Sequence, residues 1–343
     1  MTHAQSPLRV FITGSAGFIG FHLAQRLLQE GMRVHGFDGM TDYYDVTLKQ
    51  RRHEILAQSA QFSASCAMLQ DNTALEGAVK QFAPDVIVHL AAQAGVRHSL
   101  ENPRAYVDSN IIGTFNILEA ARQAQVAHLL MASTSSVYGA NTQMPFAETD
   151  KADTPLTIYA ATKKATEAMG HSHAHIWNIP VTMFRFFTVY GPWGRPDMAL
   201  FKFTKAILDG KPIDIYNNGE MYRDFTYVDD LVTAIRLLID VPPPAPGHQS
   251  KPLKGDSLSP AAPFRVVNIG NSDKVRLLDF VATLEAKLGL TAQRNYMPMQ
   301  TGDVPATWAN ADLLRSLTGY APQTRIHDGI GAFVDWYRDY YQV

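Results

Sequence analysis

The chain has 343 residues, a net charge of −2 and 46% hydrophobic residues, enough to bury a large core in one or two domains. Near-balanced charge gives no electrostatic case for nucleic acid or a membrane surface, and no apolar run reaches the length of a membrane-spanning helix. Residues 1–7 are short and polar with a strand directly after them, which leaves no room for a signal peptide. The single Cys66 excludes an intrachain disulfide framework and suits a reducing cytoplasm.

In chain order, the apolar pattern predicts a buried strand over 8–13, a helix over 18–30, a strand over 33–38, a helix over 72–82 and a strand over 85–92. A long helix over 104–124, a strand over 128–133, a helix over 158–177 and a strand over 181–187 follow. Strands alternating with helices make a doubly wound parallel α/β sheet. After Gly191 the pattern changes. Helices are expected over 198–209, 229–240, 277–288 and 328–341, with strands over 213–216 and 265–270. Residues 241–264 hold seven prolines and two glycines and read as an exposed, mobile loop. The expected division is a dinucleotide-binding domain over 1–190 and a smaller, discontinuous C-terminal substrate-binding lobe over 191–343, some segments of which return to the first domain.

The first strand runs into Gly14-Ser15-Ala16-Gly17-Phe18-Ile19-Gly20, which opens a helix. That context gives a GxxGxxG pattern its meaning. Gly14 permits the tight turn, Gly17 lets backbone approach a pyrophosphate, and Gly20 allows close helix–strand packing. The helix N-terminus at Phe18, Ile19 and Gly20 then faces the negative charge. Asp38 lies eighteen residues after Gly20 at a strand end, where a carboxylate grips ribose hydroxyls and repels a 2′-phosphate, so NAD is favoured over NADP. Arg51 and Arg52 lie too far along to serve as phosphate partners. Asp71 is expected at the close of a third strand, where it either binds the adenine amine or caps the 72–82 helix. Ala91 and Ala92 are small, as a strand end beneath a cofactor requires. Asn110 is a polar residue on an otherwise apolar helix, with cofactor-supporting and structural roles both open.

Tyr159 and Lys163 stand four residues apart on one face of the 158–177 helix. An ammonium beside a phenol favours the phenolate, so the tyrosine can act as a base near neutral pH. The hydroxyl cluster Ser133-Thr134-Ser135-Ser136, on the preceding strand, can bind the same substrate oxygen. Together with a dinucleotide these groups remove a proton and a hydride from a carbinol carbon. His171, His173 and His175 have no convincing third ligand nearby and read as a solvated helix face, so no metal is expected.

TGSAGFIG, HLAAQAGVR, STSSVYG, YAATKK, RFFTVYGPWGRPDM and RDFTYVDD occur in this order over most of the chain. With them the sequence resembles the extended short-chain dehydrogenase/reductase family, in its nucleotide-sugar branch, and there the UDP-glucuronate 4-epimerase group. The resemblance implies a Rossmann domain with a smaller substrate lobe, NAD that stays bound through turnover, a UDP-sugar substrate and a homodimer formed by the helices at 104–124 and 158–177. It assigns Tyr159 as the base at the C4 hydroxyl, Lys163 as the group that holds the ribose and lowers the tyrosine pKa, and Thr134 as the hydroxyl on the C4 oxygen. Related dehydratases carry an Asp-Glu pair where Ser135 and Ser136 stand, and related decarboxylases a Glu at Ser136. Thr134, Ser135 and Ser136, helped by Arg195, are therefore expected to hold a substrate carboxylate out of line with the neighbouring ketone. Arg195 has loop-structural and uridine-contacting alternatives. Arg223 matches a diphosphate-binding arginine, with an ion pair to Asp224 or Asp229 as the alternative. Thr188 stands where relatives often carry a pyrophosphate-contacting Asn. Arg97 is expected to reach a phosphate or the carboxylate, and Asp303 matches a ribose-binding acid. Three other readings remain open: a UDP-glucuronate decarboxylase, a UDP-glucose or UDP-N-acetylglucosamine epimerase, and a nucleotide-binding scaffold without chemistry.

Overall fold

The computed structural model describes residues 6–248 and 253–343. Residues 1–5, which carry most of the expectation about a leader, and 249–252 lie outside it. The first half alternates as its apolar pattern requires. β1 (Arg9–Thr13) is followed by α1 (Phe18–Gln29), β2 (Arg33–Asp38), α2 (Val46–Ala57), β3 (Phe62–Cys66), α3 (Asn72–Phe82) and β4 (Val86–His89). α2 and β3 escaped the sequence reading. α2 holds three arginine and lysine residues without a clear apolar face, and β3 is the small-residue string FSASC at a sheet edge. β3 ends at Cys66, so Asp71 closes no strand.

The helix expected over 104–124 is interrupted. α4 (His98–Glu101) and α5 (Pro103–Tyr106) lead into a wide π turn, Val107–Ile112, before α6 (Gly113–Ala124). Such turns insert one residue into the helical ladder and often mark functional sites; here the turn carries Asn110, which is buried. β5 (His128–Thr134), α7 (Ile158–Trp177) and β6 (Val181–Phe186) complete the alternation.

The remaining elements are β7 (Thr188–Tyr190), α8 (Ala199–Leu208), β8 (Ile213–Tyr216), β9 (Tyr222–Tyr227), α9 (Val228–Ile239), β10 (Phe264–Ile269), β11 (Lys274–Arg276), α10 (Leu277–Leu288), β12 (Arg294–Met297), β13 (Ala306–Thr307), α11 (Asp312–Thr318) and α12 (Ile326–Tyr341). The main sheet has seven parallel strands in the order β10-β6-β5-β4-β1-β2-β3. Its strands other than the edge strand β3 are buried along nearly their whole length, and two apolar layers cover the sheet: Phe21, Leu23 and Leu27 with α9 residues on one side, Leu75, Ile117 and Ala174 on the other. A third cluster, around Phe201, Phe225, Phe280 and Phe333, is the core of the C-terminal lobe.

The outermost strand of the main sheet, β10, comes from the C-terminal half and pairs with β6 over six residues. Residues 253–263 correct the expectation of an exposed, mobile loop. Asp256 forms a buried ion pair with Arg265 at 2.9 Å, Ser257 Oγ accepts from the Val266 N–H at 3.0 Å, and Ala262 is fully buried. The segment covers the free edge of β10, a role for which prolines suit because they offer no unpaired N–H.

Candidate active site

The strand order reverses between β1 and β4, and a cleft of about 930 Å³ opens above their carboxyl ends, where ligands of doubly wound sheets bind. Gly14, Gly17, Phe18, Ile19, Gly20, Asp38, Ala91 and Ala92 all line it. Gly14 has φ +75° and packs directly on β4: a Cβ there would lie 2.9 Å from the Ala91 nitrogen. A Cβ on Gly20 would lie 2.1 Å from the Gly14 oxygen. The loop is thus folded onto itself too tightly for a side chain at Gly14 or Gly20.

Three buried groups brace this floor. Thr13 Oγ1 accepts from the Leu90 and Ala91 N–H groups, both at 3.1 Å, and pairs with His89 Nδ1 at 2.7 Å. His89 Nε2 reaches Thr114 Oγ1 at 3.1 Å. Burial holds His89 neutral, its pKa driven down to about 3.

The site fits a dinucleotide on its own geometry. α1 starts at Gly17 with no side-chain cap and no acidic residue in its first turn, whereas α2, α3 and α7 are capped by Asp45, Asp71 and Thr157. Its first N–H groups are left for an anion in the cleft. The Asp38 carboxylate accepts from Ala16 N–H at 3.0 Å and Met40 N–H at 2.9 Å, which fixes its orientation at the cleft wall. Two residues for which the sequence left alternatives open show their contacts here. Asp71 is the cap of α3, its Oδ1 accepting from the Ala74 N–H at 3.0 Å, and stands outside the cleft wall. Asn110 also stands behind the wall. It accepts from Gln93 N–H at 2.8 Å and donates to Gln93 O and Thr162 Oγ1, both at 3.1 Å. It ties the loop after β4 to α7 and supports the cleft rather than facing it.

On the opposite wall stand Thr134, Ser135, Ser136, Tyr159 and Lys163. Thr157 caps α7 by accepting from the Ala160 N–H at 3.3 Å, which sets the helix start one residue before Tyr159. Thr134 Oγ1 accepts from the Ser136 N–H at 3.2 Å and hydrogen-bonds Ser136 Oγ at 3.3 Å, which couples these two hydroxyls, and Ser135 lines the cleft between them in sequence. Burial pushes the Tyr159 phenol up, and the groups that oppose it are a hydrogen bond with Thr134 and the positive charge of Arg195. Lys163, expected to lower the phenol, is itself lowered to about 8 by burial, with Glu167 resisting. Tyr106, buried under the site, holds Ala94 O at 2.9 Å and Gly95 O at 2.6 Å and meets the Tyr159 ring edge-on at 6.0 Å. Sequence reasoning missed it because a tyrosine in a helix looks like core.

Thr188 in β7, with Arg195, Arg223 and Asp303 from the C-terminal half, lines the same cleft. Arg195 forms a two-pronged ion pair with Asp197 at 3.0 and 2.5 Å, and Tyr43 donates to Asp197 at 3.2 Å. β9 alternates its side chains. Arg223 turns to the cleft, donating to its neighbour's carbonyl, Tyr222 O, at 2.9 Å, and Asp224 turns to the interior. No Arg223–Asp224 pair forms. Asp224 instead accepts from Asn271, Ser272 and Ala309 N–H and from Thr226 Oγ1 at 2.8–3.2 Å. It gathers the ends of β10 and β13 behind Arg223. Arg97 is paired with the cleft-lining Asp303 at 3.3 Å and stacked over Tyr216 at 4.7 Å. His171, His173 and His175 find separate partners in Ser259, Glu119 and Ala261, and no metal-binding group occurs among the described residues.

A family model described as the NAD dependent epimerase/dehydratase family matches residues 10–248. The chain is 57% identical over 335 residues to a probable UDP-glucuronate 4-epimerase of Rhizobium meliloti (strain 1021), covering 98% of both chains. It is 43% identical to UDP-glucuronate 4-epimerase 4 of Arabidopsis thaliana, over 99% of this chain and 77% of that one. Among solved structures it is similar to the UDP-glucuronic acid 4-epimerase of Bacillus cereus in complex with UDP-glucuronic acid and NAD. There the identity is 32%, the TM-score 0.86, and the coverage 97% of this chain and 100% of that one.

Proposed function

The chain belongs to the NAD dependent epimerase/dehydratase family, and we propose that it interconverts UDP-glucuronate and UDP-galacturonate by NAD-dependent epimerisation at C4, without loss of carbon dioxide. One observation carries the choice of substrate: the cleft that holds Tyr159 and Lys163 also holds three adjacent hydroxyls, Thr134, Ser135 and Ser136, and a buried-side arginine, Arg195, with no carboxylate at Ser136.

NAD, when bound, supplies the hydride acceptor and donor. The chain's own residues supply the rest. The Tyr159 phenolate takes the proton of the C4 hydroxyl, with Thr134 hydrogen-bonded to the same oxygen. Lys163, cationic below its pKa of about 8, adds positive charge that favours the phenolate. A ketone at C4 beside the C5 carboxylate is a β-keto acid, which loses carbon dioxide when the breaking bond aligns with the carbonyl π system. Ser135, Ser136 and Arg195 hold the carboxylate out of that alignment, a positioning effect that is worth orders of magnitude in rate. Arg223 grips the diphosphate while the sugar turns, and Tyr159 returns the proton to the C4 oxygen on the new face.

The proposal extends to assembly and location. Phe115 and Ile112 on the α6 side, with Ile176 and Trp177 at the end of α7, expose 40–62% of their surface. This apolar strip supports a homodimer built from two helices of each subunit. A single exposed thiol, Cys66, suits a cytoplasmic site of action.

Proton NMR of UDP-glucuronate incubated with the purified protein, without added NAD, tests the reading. UDP-galacturonate is the expected product, and Tyr159→Phe is expected to lose at least ~10³-fold in rate while still binding the nucleotide sugar. A UDP-pentose as the main product would replace the reading with a decarboxylase.

A further inference from the structure

Arg52 heads the fully buried side chains by size, and among the described residues it has no carboxylate partner. Its guanidinium is spent on carbonyls and one phenol. Nη1 donates to Ala16 O and to Tyr44 Oη, both at 2.9 Å, and Nη2 to Trp193 O at 2.5 Å. Nε has no partner. Burying a cation without a counter-ion costs several kcal/mol, so the position is an expensive way to hold two loops together if holding them is of no consequence.

The two carbonyls identify those loops. Ala16 sits in the glycine turn under the dinucleotide, and Trp193 sits two residues before Arg195. Other first-half residues meet the same segment. His22 Nε2 hydrogen-bonds Pro192 O at 2.9 Å, the Phe21 and Trp193 rings lie 5.4 Å apart, and Tyr43 holds Asp197, the partner of Arg195. Arg52 itself does not line the cleft. We propose that Arg52 is a positioning residue for Arg195: by pinning the 192–197 loop to the dinucleotide turn, it sets the affinity for a carboxylate-bearing sugar without touching the sugar. The inference rests on the epimerase reading above, in which Arg195 faces the substrate carboxylate.

Isothermal titration of the protein as purified, with UDP-glucuronate and with UDP-glucose, separates positioning from a general structural role. Arg52→Met is expected to weaken UDP-glucuronate by roughly tenfold and UDP-glucose by less than about twofold, because only the former uses Arg195. Arg52→Lys, which can reach one or two of the three acceptors, is expected to fall between. Equal weakening of both ligands, or no change in either, overturns the inference. Should Arg52→Met fail to fold, Tyr43→Phe cuts the Asp197 contact from the same wall and is held to the same selective pattern. Arg195→Met keeps the two ideas apart. A selective loss there without one at Arg52 ends this inference and leaves the epimerase reading standing, whereas a wild-type protein that does not epimerise UDP-glucuronate ends the reading itself.

Discussion

Glu148 shows what a single buried carboxyl does beside the edge strand β10. It accepts the Asn268 N–H at 2.8 Å, and burial raises its pKa to about 7 despite that bond and the nearby Arg185. A group raised in this way gives its full stabilisation below the unfolded value near 4.5 and loses it as pH rises through 7. Glu148→Gln keeps the acceptor and cannot ionise. It is expected to match the wild type at pH 4 and to exceed it at pH 8 by up to about 3 kcal/mol, or several degrees in Tm. Equal shifts at both pH values in thermal unfolding would rule this out. Residues of this kind explain what the sequence left hidden. The glycines, Asp38, Thr134, Tyr159 and Lys163 sit in local patterns whose spacing states their chemistry, and all of them face the cleft. Asp71, Asn110 and Arg97 share the same segments but turn to a helix cap, a loop carbonyl and Asp303, and side-chain direction at an element's end is not written in spacing. Arg52, Tyr106 and Asp224 act through backbone groups far away in sequence, so no local pattern could reveal them.

Elements were legible where an apolar period ran long. The bounds of the helix at Ile158–Trp177 and the strand at Arg33–Asp38 follow directly from the pattern. The strand at Ile213–Tyr216 was also legible, but β7, β9, β11, β12 and β13, and α2 with β3, were not, because tertiary pairing rather than propensity makes them. Two glycines in helices show how context decides a substitution. Gly20→Ala places a methyl 2.1 Å from the Gly14 oxygen, so the turn must open; a cost of about 1–3 kcal/mol and loss of NAD that copurifies with the protein are expected. Gly77→Ala in α3 meets nothing within 4 Å and should stabilise by about 0.5–1 kcal/mol. Chemical denaturation and the nucleotide content of the purified variants check both, and Gly20→Ala protein that keeps its NAD would refute the packing argument.

For the whole molecule, the apolar strip on α6 and α7 makes assembly state the quantity to measure. Phe115→Asp with Ile176→Asp is expected to convert a dimer into a 38.0 kDa monomer in size-exclusion chromatography with light scattering, and a monomeric wild type would dispose of the dimer. The borrowed strand has a further consequence, for synthesis rather than catalysis. β6 is an unbroken run of buried residues, and the strand that covers its outer edge begins about 78 residues later. At about 5–20 residues per second on the ribosome, the nascent chain carries an open, sticky sheet edge for roughly 4–16 s before its cover emerges. A fragment that ends before β10 is therefore expected to leave the β6 edge open to pairing with other chains and to aggregate, which light scattering of the 1–190 fragment checks.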